Sequence, residues 1–317
     1  MISYNNIAGM SIKGGKFDNV FLSLLEYYPD RKRWFLKSLL QVKDSEVGTR
    51  NDVIKDWTQK YNIKDLVSDI PLTYPPCFNC KLECPGENNC QVKSVRISQE
   101  ILLKTLAEDE SLNTLGPKEY ERKRNTDDEY VHDKNVFHKK TLDPILSKSF
   151  KRRLKKGISP HWNRPIDLWV WFEYYDQMLD LFNISFNSFG STSLMTLFRF
   201  SYLKRHFPED LTLYEGNVFI AYIELLRNGI ISKSSLQNIN HFEYGYDSRL
   251  EILESIEKKL KIFIYENDYE VLLKSNQAFN SFILSLIGRS LHLKKVKKID
   301  EQFQSEGFNF VIPRFKL

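Results

Sequence analysis

Three β-rich runs fill most of the first 42 residues, and a helical run and a fourth β-rich run follow by residue 72. The first three are NIAGMSI (6–12), NVFLSLLEYY (19–28) and RWFLKSLLQV (33–42), separated by links that begin KGG and PD. Tight links carrying Gly or Pro suit antiparallel hairpins, so these runs are expected to form a meander. DSEVGTRNDVIKDWTQKYNI (44–63) reads as a helix, which Asp44 or Ser45 can cap and on which Val53, Ile54 and Trp57 share a face. DLVSDIPL (65–72) then resumes as a strand ending at Pro71. A helical crossover of that length lets the fourth strand lie parallel beside the first. The order β-β-β-α-β sets the expected class as α/β.

Residues 73–165 break this rhythm. They hold a cysteine cluster, a helical stretch around 97–110 and a long polar segment, and their apolar periodicity is thin. The expected organisation is therefore a core whose first half spans 1–76, an insertion over 77–165, and a second core half over 166–317. In that second half, 165–184 reads as a helix apolar nearly all round at its start, hence buried on more than one side. Further helices are expected over 193–207, 217–230, 248–263 and 269–295, with a strand at 211–216 and a terminal strand within 307–315.

All four cysteines fall in fourteen residues: Cys77, Cys80, Cys84 and Cys90, spaced C-x2-C-x3-C-x5-C. The N-terminus lacks the basic start and apolar core of an export signal, and no apolar run is long enough for a membrane span. A cytoplasmic location is the expectation, and there clustered thiols favour a metal over disulfides. A closed zinc site with all four thiolates as ligands is the first choice and an iron–sulfur cluster the alternative, given the proline after Cys84.

The β-β-β-α-β start combines with SDIPLTYPP at a strand end, YLKRHFPEDLTLYEG later, NQAFNSF in the last helix and a closing EGFNFVIP. Together these resemble an uncharacterised bacterial family of predicted nucleases with an RNase H fold, over roughly 1–76 and 195–317. The resemblance implies a five-stranded RNase H-like mixed sheet flanked by helices. It also implies metal-dependent phosphodiester hydrolysis, in which carboxylates hold two Mg²⁺ or Mn²⁺ ions. The family's first-strand aspartate corresponds to Ser11, its fourth-strand acid to Asp69, and a further acid near the fifth strand to Glu215. The last-helix pattern Asp-x-x-Phe-Asp-Ala meets Asn276 and Asn280. Serine and asparagine bring no negative charge to neutralise a divalent ion, so the acidic site is weakened. The alternative to an enzyme is a catalytically degenerate relative that binds nucleic acid or a protein partner. Ordinary structural roles also stand beside these: Asp69 capping a loop, Glu215 capping the helix after it, and an amide hydrogen bond for the two asparagines.

A mild surplus of cations, 46 Lys+Arg against 41 Asp+Glu, permits an anionic partner without requiring one. KSFKRRLKKG, with Lys151, Arg152, Arg153, Lys155 and Lys156, is either a solvated helix face or a phosphate-contacting patch, and Lys204 and Arg205 form a second candidate. The chain carries no phosphate-binding Gly loop, nucleophile elbow or dinucleotide fingerprint.

Overall fold

The computed structural model describes residues 6–13, 19–43, 50–78, 80–86, 89–114, 151–152, 164–184, 194–299, 303 and 309–316. Strands β1 (Asn6–Lys13), β2 (Asn19–Tyr28) and β3 (Arg33–Val42) form the antiparallel meander, and a 3-10 turn at Pro29–Arg31 joins the last two. Helix α1 (Arg50–Lys60) buries Ile54 and Trp57, and the Trp57 indole donates to Ser38 Oγ at 3.1 Å. The cap positions Asp44 and Ser45 lie outside the described residues. Strand β4 (Asp65–Ser68) lies parallel to β1, with Met10 beside Ser68, and β5 (Thr212–Gly216) lies parallel to β4.

The sheet is mixed and has seven strands, not five, in the order β6-β3-β2-β1-β4-β5-β7. The two additions are two-residue edge strands, β6 (Ile262–Phe263) beside β3 and β7 (Phe310–Val311) beside β5. Residues 262–263 fall in a stretch that looks helical by sequence, but the backbone turns left-handed at Lys261 (φ 54°) and frees them to pair.

Two helices come next, α2 (Lys93–Thr114) from the insertion and α3 (Pro165–Phe182) from the start of the second core half. Later come α4 (Leu194–Lys204), α5 (Val218–Arg227), α6 (Lys233–Asn238), α7 (Gly245–Leu260), α8 (Glu266–Lys274) and α9 (Asn276–His292). The single helix expected over 269–295 is broken at Ser275. Its backbone is extended there, and its side chain accepts the Ala278 N–H at 3.2 Å as the N-cap of α9. The cap of α5 is Asn217, which accepts the Ile220 N–H at 3.1 Å.

Contacts divide the chain into two compact units. One comprises Met1–Leu72, Thr192–Lys298 and Asn309–Leu317, and the other Thr73–Ser191 with Ile299–Phe308. In the first, one sheet face packs Ala8, Met10, Ile12, Leu22, Leu24 and Leu66 against Ile54 and Trp57 of α1 and Phe200 and Leu203 of α4. The other face receives α9, which crosses β1, β2 and β4. There the backbones nearly touch, for a Cβ on Gly9 would run into Ser281 O and Ser285 N. Ser23 Oγ donates to Ser281 O at 2.6 Å across the same crossing. The second unit contains α2 and α3, and α3 buries Ile166, Leu168, Val170, Trp171, Tyr174 and Met178. Its N-terminus is fixed by Arg164, a neighbour in sequence, whose guanidinium grips both carboxylate oxygens of Asp167 at 2.8 and 2.6 Å. No helix among the described residues is long and apolar enough to cross a membrane.

Candidate functional site

Because Met10 and Ser68 pair in parallel register, the next residues on each chain, Ser11 and Asp69, also become neighbours. Ser11 is fully buried, and its hydroxyl oxygen lies 3.0 Å from Asp69 Oδ2 and 2.7 Å from Gln277 Oε1 in the first turn of α9. A hydroxyl has one proton and cannot donate to both oxygens. A second proton completes the chain when Asp69 is neutral and donates to Ser11, or when Gln277 presents Nε2 instead. Asp69 is disposed toward the first arrangement: burial pushes its carboxyl up to about 6, against the opposing pull of the Ser11 hydroxyl and the backbone N–H groups of Asp69 and Ile12. Its Oδ1 is buried and makes no hydrogen bond of normal geometry among the described residues.

Glu215 is not part of this cluster. Gly216 faces α9, where a Cβ would crowd Ile287 Cδ1 at 2.8 Å, so strand alternation turns Glu215 to the opposite sheet face. There it is buried, and Oε2 accepts the Leu72 N–H at 2.9 Å, holding the loop that follows β4. Asn276 and Asn280 lie on α9 beside the strip that meets the sheet. The buried Tyr222 hydroxyl donates to Asn280 Oδ1 at 3.1 Å. Desolvation raises the pKa of that phenol and keeps it a donor, and Arg249 opposes the shift. Asn276 Oδ1 accepts from Arg249 Nη1 at 2.7 Å, and the same guanidinium binds the carbonyls of Ile239 and Leu273. Gln277 is the site residue that the sequence reading missed. The signal that finds it is the series Ser281, Ser285 and Gly288, small residues at helical spacing that mark the sheet-facing strip, with Gln277 one turn earlier.

A two-ion centre does not fit these residues. The cluster offers one carboxylate, Glu215 faces away, and the Asn276 oxygen is held by a cation. Among the described residues no group of three or more His, Cys, Asp or Glu side chains is placed to hold a metal ion.

None of the four cysteines is in a disulfide; Cys77, Cys80 and Cys84 are exposed and Cys90 is half-buried. Partial burial and then the neighbouring Cys80, Cys90 and Cys84 raise the pKa of the Cys77 thiol. Of the cationic candidates, Lys151 is paired with the buried Asp109, and Arg152, Lys204 and Arg205 are exposed. Arg153, Lys155 and Lys156 lie outside the described residues. Phe198 and Tyr202 are exposed on α4, and Tyr202 packs on the ring of His206 at 4.8 Å. Comparison with family models, with curated proteins and with solved structures found no match.

Proposed function

We propose that this chain is an RNase H-like protein with a degenerate acidic site, which binds nucleic acid without cleaving it. The order β3-β2-β1-β4-β5 within the sheet, with β2 antiparallel and α1 connecting β3 to β4, supports the fold assignment. One observation carries the functional reading: of the five positions the resemblance assigns to catalysis, only Asp69 brings a carboxylate to the Ser11 cluster, and its negative charge is disfavoured. Exposed Phe198 and Tyr202, with exposed Lys204 and Arg205 at the end of the same helix, offer the ring and cation types that sequence-tolerant single-strand binding uses. The cytoplasmic location expected from the sequence belongs to the same proposal.

A hydrolytic reading has one point in its favour, since the buried Oδ1 of Asp69 could accept a cation. A single experiment separates the two. Single-stranded, duplex and hybrid oligonucleotides are incubated with the protein in Mg²⁺ or Mn²⁺, and binding is followed in parallel by anisotropy. The proposal expects salt-dependent binding, no turnover, and weakened affinity in Lys204→Glu and Arg205→Glu. Cleavage that disappears in Asp69→Asn would replace it with the nuclease.

For Cys77, Cys80, Cys84 and Cys90 the proposal remains zinc, with an iron–sulfur cluster as the alternative. The described part of this loop is held by turn bonds such as Phe78 N–H to Pro75 O at 3.0 Å, and it leaves Phe78 and Leu82 exposed. A segment with so little core of its own is the kind a metal organises, and ligation would close the loop as the ion binds.

A further inference from the structure

The corner where β2 turns into β3 meets the corner where α7 turns into β6, and between them lies a cavity of about 360 Å³. It is lined by Arg31, Lys32, Arg33, Lys258 and Lys261, with Glu257 as the one carboxylate. Glu257 is already engaged, accepting the Ile264 N–H at 2.8 Å and the Tyr269 hydroxyl at 2.7 Å. We propose that this pocket binds a compact polyphosphate group.

Three features separate it from an ordinary basic surface. First, Lys32 (φ 47°) and Lys261 (φ 54°) both sit in the left-handed region, each immediately before one of the paired strands β3 and β6. Glycine is less strained there, yet both positions carry a cation. The negative end of α7 accounts for Lys258 and Lys261, but not for three consecutive cations arriving from the β2–β3 turn. Second, Arg33 is held in place: Nη2 donates to Ile262 O at 3.2 Å, and its guanidinium lies 5.4 Å from the Phe263 ring centre. Its Nε is buried and has no hydrogen-bond partner among the described residues. A guanidinium held at the pocket wall is pre-organised for a phosphate oxygen. Third, no aromatic side chain is among the residues lining the pocket, and the guanidinium of Arg33 lies over the neighbouring Phe263 ring and that of Arg31 over Phe35 at 5.9 Å. The pocket therefore offers charge without a free stacking face, which favours a phosphate chain over a nucleobase-bearing strand.

The test is calorimetric titration of the full-length protein with sodium tripolyphosphate at low ionic strength, followed by competition with a short single-stranded oligodeoxynucleotide. Saturable 1:1 binding is expected, with Kd on the order of 10 µM. Lys32→Gly and Lys261→Gly should each weaken it about tenfold, the loss expected for one charge-assisted contact. Their melting temperatures should stay level or rise, because glycine relieves the left-handed backbone. Absence of saturable binding would overturn the proposal, as would affinity that falls only in company with stability. An oligonucleotide that binds more tightly than tripolyphosphate, with the same dependence on both lysines, would also overturn it and assign the pocket to nucleic acid.

Discussion

Asp69→Asn should make the protein more stable at neutral pH, although it alters a residue at the centre of the candidate site. The carboxyl titrates near 6 in the folded chain against an ordinary value of 3.8, chiefly because burial penalises the charge. At 1.36 kcal/mol for each tenfold change, that gap is worth about 3 kcal/mol. The sign follows from which form the fold prefers. A raised carboxyl pKa means that the folded chain holds the proton more tightly, so the associated stability is fully present below 3.8 and is lost as pH rises through about 6. At about pH 7.5 the wild-type chain therefore carries nearly the whole penalty, and at about pH 4.5 only about 1 kcal/mol of it. Asparagine cannot ionise, and its Nδ2 can donate to Ser11 Oγ, which is then free to donate to Gln277 Oε1. Urea unfolding of both proteins across this range should show the variant ahead by about 3 kcal/mol at the upper end, converging toward the lower. In a thermal melt the neutral-pH gain amounts to roughly 6–12 °C. A variant less stable at neutral pH, or a difference that does not change with pH, would refute the placement of a buried, proton-seeking carboxyl beside Ser11.

Three further outcomes follow from the packing and the cysteine loop. Gly9→Ala forces a Cβ into the backbone of α9 at Ser281 and Ser285, where no side chain can yield, and should cost about 3 kcal/mol or more; a loss below about 1 kcal/mol by urea unfolding would contradict that close approach. Glu224 and Arg227 form an ion pair on α5 at 2.7 Å with both side chains 6% exposed, so Glu224→Ala removes the paired carboxylate from a buried guanidinium and should cost about 3 kcal/mol. Replacing the pair together by Leu and Met should restore most of that stability. Zn²⁺ added to the metal-stripped chain should bind at one equivalent and release protons, with the effect abolished by Cys77→Ser with Cys80→Ser; a visible absorption band in the purified protein would instead indicate iron–sulfur.

The early strands were legible because their signals are local. The runs at 19–28 and 33–42 end where PD and the polar residues Lys43 and Asp44 interrupt the sequence pattern, and the structure keeps those bounds. The parallel pairing of β1 with β4 was likewise readable, since a helix-length crossover leaves few other placements. The later boundaries were not. Nothing in YEVLLKSNQAFNSFIL breaks the helical pattern except one serine, and a serine becomes a cap only when the backbone around it is extended. Lys261 is a comparable case, because a lysine in a glycine-like conformation leaves no composition signal at the end of α7.

At the candidate site, the sequence carried the residues but not the directions in which they point. Glu215 lies on the strand next to β4, beside Ser68, yet strand alternation takes it to the far face; a shift of one residue would have brought it to α9. Asn276 and Asn280 miss the sheet-facing strip by one position on the helix, so they engage Arg249 and Tyr222 instead of Asp69. The electrostatic consequence runs against a nuclease. The first turn of α9, the positive end of a helix dipole, carries Arg249 on Asn276 and Gln277 on Ser11, while burial penalises the charge of the one nearby carboxylate. Divalent cations require concentrated negative charge, and this corner offers a guanidinium and a helix N-terminus in its place. The corner therefore lacks the concentrated negative charge that a pair of divalent ions would need.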